Sequence, residues 1–205
     1  MREYEAYIFD FDMTLFNSLK GVELAYAKAF RSIGIPFNVA DCRRYVQEPL
    51  DVTADRFVRS EAEKKRFIDS FIAESRASMA SRTDPYPETE EVIGTLHSRG
   101  KGLSIASGKM RERIVAILLK HGLLERFDRI VGYDDVKNHK PAPDGLLNAL
   151  NEYPWLEKKD VCYVGDSPGD MFAAEAAGID GIYVPRGPVA ECPYTFMIRD
   201  LRDLM

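Results

Sequence analysis

Cysteine is scarce: Cys42, Cys162 and Cys192 are the three in a chain of 205 residues. They are odd in number and widely spaced, which suggests neither a disulfide framework nor a zinc site, and the expectation is a reduced, cytoplasmic protein. Histidine is as sparse. His97, His121 and His139 lie far apart, none at metal-ligand spacing, and are expected at the surface or at helix ends, with His139 nearest a candidate pocket. No apolar run approaches the roughly 18 to 20 residues of a membrane span. The opening Met1-Arg2-Glu3-Tyr4-Glu5 has no signal-peptide pattern. A basic excess is missing too: net charge is -5 and the pI near 5.4, leaving no electropositive footprint for nucleic acid or an anionic membrane. Repeats and low-complexity tracts are absent. What is present, 45% apolar and 11% aromatic residues, suffices for a full core in one domain, or in a core with a modest insertion.

The most informative stretch is Asp10-Phe11-Asp12-Met13-Thr14, directly after the apolar Tyr7-Ile8-Phe9. A strand through Tyr7–Phe9 delivers two carboxylates at its tip, and residues two apart on extended chain point the same way, so Asp10 and Asp12 are expected to share a site. Two acids at the mouth of a buried strand repel each other. A hard divalent cation such as Mg²⁺ offsets that repulsion and brings phosphate with it.

Further buried strands are expected at Gly102–Ala106, Arg129–Tyr133, Val161–Gly165 and Gly181–Val184, the last halted by Pro185. Helical patterns separate them, with Gly100, Gly122 and Gly178 placed as helix-ending glycines. Strands alternating with helices imply an α/β fold with a parallel sheet wrapped on both faces. Residues 16–82 differ. They show no convincing strand and carry helical patterns through Val22, Tyr26, Ala29 and Phe30 and through Phe67, Ile68, Phe71 and Ile72. This block reads as an insertion folded as its own small bundle, with the charged run Glu61–Arg66 as a wet helix face. Asp84-Pro85-Tyr86-Pro87 marks the return to the core, so residues 1–15 and 83–205 form the core and 16–82 the insertion.

Four polar clusters fall at or near strand ends: Asp10/Asp12/Thr14, Ser107-Gly108-Lys109, His139-Lys140-Pro141 and Gly165-Asp166-Ser167-Pro168-Gly169-Asp170. Ligands of open parallel sheets bind outside the carboxyl ends of the strands. Each cluster alone has an ordinary explanation as a turn, a solvated lysine or a helix cap. Asp134-Asp135 is expected in a solvated loop, Trp155 in packing and Cys162 in the core.

In this order the clusters resemble the four motifs of the haloacid dehalogenase-like hydrolase superfamily, over nearly the whole chain: D-x-D-x-T at Asp10–Thr14, Ser107, Lys140 before proline, and G-D-S-x-x-D at Gly165–Asp170. The resemblance implies a Rossmann-like parallel core with an inserted helical cap of the C1 type, the subgroup of phosphoglycolate phosphatase-like and β-phosphoglucomutase-like proteins. It implies Asp10 as nucleophile and Asp12 as general acid and then base. Mg²⁺ is implied on Asp10, Asp12 through its backbone carbonyl, and Asp166. Asp170 would serve the outer metal shell or hold Lys140. Thr14, Ser107, Gly108 and Lys140 are implied around the phosphate. Met13 stands where many relatives have glycine, and Pro141 biases Lys140 toward extended backbone.

The expected reaction is hydrolysis of a small phosphorylated metabolite, a phosphate monoester. A phosphomutase is the nearest rival, to be separated by the cap, where Gln47–Asp51 is the expected substrate-facing loop with Arg43, Arg44 and Arg56 nearby. Dehalogenation is disfavoured, because that metal-free chemistry has no need of Asp12 and Asp166 together. A phosphoacceptor signalling module is disfavoured by the resident acid Asp12 and by the cap, and an idle binding protein by the intact motifs. Oligomeric state is not legible in the sequence.

Overall fold

Side-chain alternation along five short strands decides the architecture. The structure, a computed structural model, describes residues 2–46 and 50–205. β1 (Ala6–Phe9) is fully buried, as its unbroken apolar run requires of a strand covered on both faces. Tyr7 and Phe9 point into one core layer and Ala6 and Ile8 into the other.

The chain leaves this unit through β2 (Phe16–Asn17) and returns through β3 (Asp84–Pro85). The sheet continues with β4 (Gly102–Ala106), β5 (Arg129–Val131), β6 (Val161–Gly165), β7 (Asp180–Tyr183) and β8 (Phe196–Met197). Six strands pair in the order β5-β4-β1-β6-β7-β8, all in parallel, so the strand bearing the first acidic motif is flanked by β4 and β6.

Counting the helices from the N-terminus, α1 (Leu19–Ser32), α2 (Cys42–Val46), α3 (Leu50–Asp55) and α4 (Glu61–Ser78) lie between β2 and β3. The sheet is covered by α5 (Thr89–Ser98) and α6 (Arg111–Lys120) with one core layer, and by α7 (Asp144–Leu150) and α8 (Pro168–Ala177) with the other. Gly100, Gly122 and Gly178 follow helices with φ of 73°, 67° and 73°, the left-handed geometry that glycine reaches without a Cβ clash. Each fully buried Phe or Ile in these layers contributes about 1.5–3 kcal/mol.

Two compact units emerge: Met1–Phe16 with Pro85–Met205, and Asn17–Asp84. The second holds a core of its own, in which Tyr26, Ala29, Phe30, Cys42, Tyr45, Ala54 and Phe67 are buried. Phe30 and Phe67 meet edge to face at 5.1 Å, tying α1 to α4. Ser60 caps α4 by accepting from the Glu63 N–H at 3.2 Å. Gln47, Glu48 and Pro49, from the segment expected to face substrate, lie outside the described residues.

Four details correct or refine the sequence reading. β5 stops at Val131, where Gly132 passes so close to α6 that a Cβ there would lie 2.4 Å from the Arg111 nitrogen, and Tyr133–Asp135 then form a 3-10 turn. Asp134 and Asp135 are exposed, as expected of a solvated loop, but they also cap: they accept from the Arg111 and Gly132 N–H groups, both at 2.8 Å. Trp155 is 74% exposed and touches Tyr153 edge-on. β8 gives the sheet a sixth strand that two residues of sequence could not announce. Among the described residues the three cysteines are free, and no helix is long and apolar enough to cross a membrane.

Candidate active site

The site grows from the end of β1. Asp10 continues the ladder by one bond, its N–H donating to the Val164 carbonyl at 2.9 Å, and its carboxyl lies almost fully buried beyond the last strand residue. The chain then reverses. Met13 takes a positive φ of 61°, while Leu15 and Phe16 both donate to the Phe11 carbonyl and Met13 donates to that of Phe16. A non-glycine residue in this region costs about 1 kcal/mol, a strain that Met13 tolerates. Phe11 is stacked on Phe16 at 4.5 Å, which anchors the loop from below.

Lys140, in the connection before α7, reaches back under this loop. Its ammonium donates to Asp10 Oδ1 at 2.8 Å, to Asp170 Oδ1 at 2.5 Å and to the Tyr163 hydroxyl at 3.2 Å. An ammonium has three protons, and these are three acceptors. The Tyr163 hydroxyl accordingly passes its own proton on, donating to the Ala106 carbonyl at 2.8 Å. The Lys140–Pro141 peptide is cis.

Asp170 comes from the first turn of α8. There Ser167 and Asp170 form a reciprocal capping box, with Asp170 Oδ2 accepting from the Ser167 N–H at 2.9 Å and from its hydroxyl at 2.7 Å. Both Asp170 oxygens are therefore already in use. The approach is close enough to require Gly165, since a Cβ at that position would lie 2.4 Å from the Asp170 Cβ.

Asp166, partly buried after β6, accepts from the Thr14 hydroxyl at 3.3 Å. Its carboxylate, with those of Asp10 and Asp170, offers ligand oxygens within 4.8 Å of one another. Thr14 is fully buried, and its hydroxyl is directed to Asp166. Ser107 follows β4, held by its N–H on the Val131 carbonyl at 3.0 Å, and its hydroxyl accepts weakly from the Lys109 N–H at 3.4 Å. A side chain at Gly108 would meet nothing within 4 Å, so the space beside this turn is open.

Asp12 does not join the carboxylate cluster. Its Oδ2 pairs with the Lys109 ammonium at 2.7 Å, while its Oδ1 is buried with no hydrogen-bond partner. The expectation that Asp10 and Asp12 present their carboxyls to one point is thus modified: the reversal after Asp12 sends them to different lysines. Tyr163 and Arg186 were not among the sequence candidates, and Lys109 was named only as part of the Ser107-Gly108-Lys109 cluster, with no role given to it. Arg186 donates to the Thr14 carbonyl at 2.9 Å, pairs with Glu88 at 2.7 Å and lies 3.8 Å over the Tyr86 ring, bracing the loop from behind. Lys109 had a signal, standing in the Ser107-Gly108 turn; Tyr163 had a weaker one, two residues before Gly165 on the same strand face. His139 stacks on Tyr133 at 3.8 Å.

The electrostatics follow from this geometry. Burial, against the opposing pull of Lys140, pushes the Asp10 carboxyl up to about 6. Burial and the charges of Asp170 and Asp10 push Asp166 well above the carboxylate range. Burial alone would lower the Lys140 ammonium, but Asp10 and Asp170 together hold it well above its ordinary value. Among the described residues, four carboxyls (Asp10, Asp12, Asp166, Asp170) face two ammonium groups (Lys109, Lys140), and full ionisation of all four, which burial opposes, would leave an excess of two negative charges. A divalent cation on oxygen ligands matches both that excess and the donor set.

Residues 7–184 match the family model for haloacid dehalogenase-like hydrolases. A phosphoglycolate phosphatase of Cereibacter sphaeroides is 32% identical, over 91% of this chain and 89% of its own length. The pyrophosphatase PpaX of Halalkalibacterium halodurans is 29% identical, over 99% of this chain and 96% of its own. Among solved structures, a haloacid dehalogenase-like hydrolase of Bacteroides fragilis superposes with a TM-score of 0.90 at 28% identity, covering 99% of this chain and 100% of its own. The chain belongs to the haloacid dehalogenase-like hydrolase family and stands among its phosphatases.

Proposed function

We propose that the chain is a Mg²⁺-dependent phosphatase that hydrolyses a small phosphate monoester through an aspartyl-phosphate on Asp10. The observation that carries this reading is the Asp10–Lys140–Asp170 chain at the tip of β1, with Asp166 beside it. An Asp10 oxygen attacks phosphorus as the bond from phosphorus to the ester oxygen breaks, and the Asp12 carboxyl gives its proton to that leaving oxygen. Water then attacks the phosphorus of the aspartyl-phosphate and Asp12 takes a proton from it. The bond to Asp10 breaks, releasing inorganic phosphate.

Lys140 neutralises the phosphoryl group while Asp170 and Tyr163 hold its ammonium in place. Ser107 and the open backbone at Gly108 receive phosphoryl oxygens, and Thr14, through its hydroxyl, orients Asp166. Asp10, Asp166 and the Asp12 backbone carbonyl would hold the Mg²⁺, while Asp170 holds Lys140 and lies close enough to serve the metal's outer shell. Mg²⁺ held there would offset the repulsion between Asp10 and an anionic substrate and would supply a Lewis acid to a phosphoryl oxygen. Residues 17–84 take the part of the helical cap, and the enzyme works in the cytoplasm, in keeping with its free thiols. The phosphatase names of the relatives support water, and not a second substrate hydroxyl as in a mutase, as the final acceptor.

The test is phosphate release from phosphoglycolate, pyrophosphate, sugar phosphates and nucleoside monophosphates, with Mg²⁺ and with EDTA. Wild type is expected to turn over at least one of these only with Mg²⁺, and Asp10→Asn to lose about three orders of magnitude or more in kcat. Turnover that survives in Asp10→Asn would remove the nucleophile from this account.

A further inference from the structure

Two lysines stand in the site, and they have different partners. Lys140 is saturated by Asp10, Asp170 and Tyr163. Lys109 is not: its side chain is only 7% exposed, yet among the described residues its ammonium has one partner, Asp12 Oδ2. Two of its three donors are left over, and a buried ammonium with unused donors is costly unless something meets them. The other half of the pair is equally unfinished, with Asp12 Oδ1 buried and unbonded.

The backbone that carries Lys109 is fixed on both sides. Its carbonyl accepts from the Tyr133 N–H at 2.9 Å, and its N–H leans on the Ser107 hydroxyl at 3.4 Å. The ammonium is thus presented from a held turn, not from a mobile surface arm.

Position decides what it can bind. In the reaction above, on which this inference rests, Asp12 protonates the leaving oxygen, so its carboxyl lies beside the leaving group. A cation 2.7 Å from that carboxyl stands on the same side, whereas Lys140, joined to Asp10, stands on the side of the transferred phosphoryl group. We propose that Lys109 is a specificity-determining residue that selects esters whose leaving group carries a second negative charge, a carboxylate or a phosphate, close to the scissile oxygen. Its spare donors meet that charge, and a neutral leaving group leaves them unmet. A compact point charge suits a small anion of either kind.

The experiment compares kcat/KM for phosphoglycolate and pyrophosphate with that for phenyl phosphate, whose leaving group has no second charge, in wild type, Lys109→Met and Lys109→Arg with Mg²⁺. The readout is the ratio of the anionic to the neutral substrate. Lys109→Met is expected to lower that ratio by about tenfold or more, and Lys109→Arg, which keeps the charge, to preserve most of it. A loss in Lys109→Met that is equal for all three substrates would overturn the proposal, because Lys109 would then act only by positioning Asp12. An unchanged ratio with unchanged rates would overturn it as well. Failure of the underlying phosphatase reading is recognised separately, as wild type releasing phosphate from none of these three nor from any sugar phosphate or nucleoside monophosphate, whereas turnover of neutral-leaving-group esters alone would overturn the present proposal.

Discussion

At the scale of single residues, the site is a cluster of largely buried carboxyls whose ligand oxygens lie close enough to share a cation. Asp10 is buried to the point where its carboxyl is pushed up to about 6, against an ordinary 3.8. The sign of the consequence is fixed. Between about pH 4 and pH 6 the folded protein keeps a proton that the unfolded chain has released, so stability is lost as pH rises through that window. Metal binding displaces the same proton and should relieve the penalty. Mg²⁺ is therefore expected to raise Tm more at about pH 7 than at about pH 5, and thermal scans with and without the ion check this. An equal shift at both values would separate the metal from Asp10. The acids stood out in the sequence as polar clusters at strand ends, and Lys140 only through the order of the four motifs that the chain resembles. The partner of each carboxylate was not legible. Asp12 pairs with Lys109 in a turn where the next residue, Met13, has a left-handed backbone, and a methionine in the sequence gives no notice of that conformation.

At the scale of elements, α8 has two tasks at one end. The box that starts the helix also sets the Asp170 carboxylate that holds Lys140. Ser167→Ala is expected to cost about 1 kcal/mol in a urea titration, from the lost cap. Gly165→Ala is expected to cost about 1–3 kcal/mol and to lower activity as well, since its methyl would occupy the place of Asp170. Gly94 gives the contrast: it lies within α5 with open space around its Cα, and Gly94→Ala is expected to stabilise by about 0.5–1 kcal/mol. Gly102–Ala106 and Val161–Gly165 could be read to the residue, being short, mostly apolar runs stopped by turn residues. β8 could not, since two residues carry no period, and Trp155 misled because an aromatic after proline looks like packing until its exposure is seen.

At the scale of the whole molecule, the order of strands explains why one acidic motif can meet three others far apart in sequence. β1 sits between β4 and β6, so Ser107 and Asp166 arrive beside Asp10 from its two neighbours, and the connection before α7 brings Lys140. The parallel α/β class was readable from alternating periods. The substrate was not, because it depends on residues such as Lys109 whose partners are set by the folded turn. The central claim is that Asp10 carries the phosphoryl group, and acid quenching during turnover of a phosphorus-labelled substrate tests it most directly. Label bound to the protein, mapped by peptide mass to Asp10 and absent in Asp10→Asn, is the predicted result. Turnover with no label on Asp10, or label retained in Asp10→Asn, would contradict it.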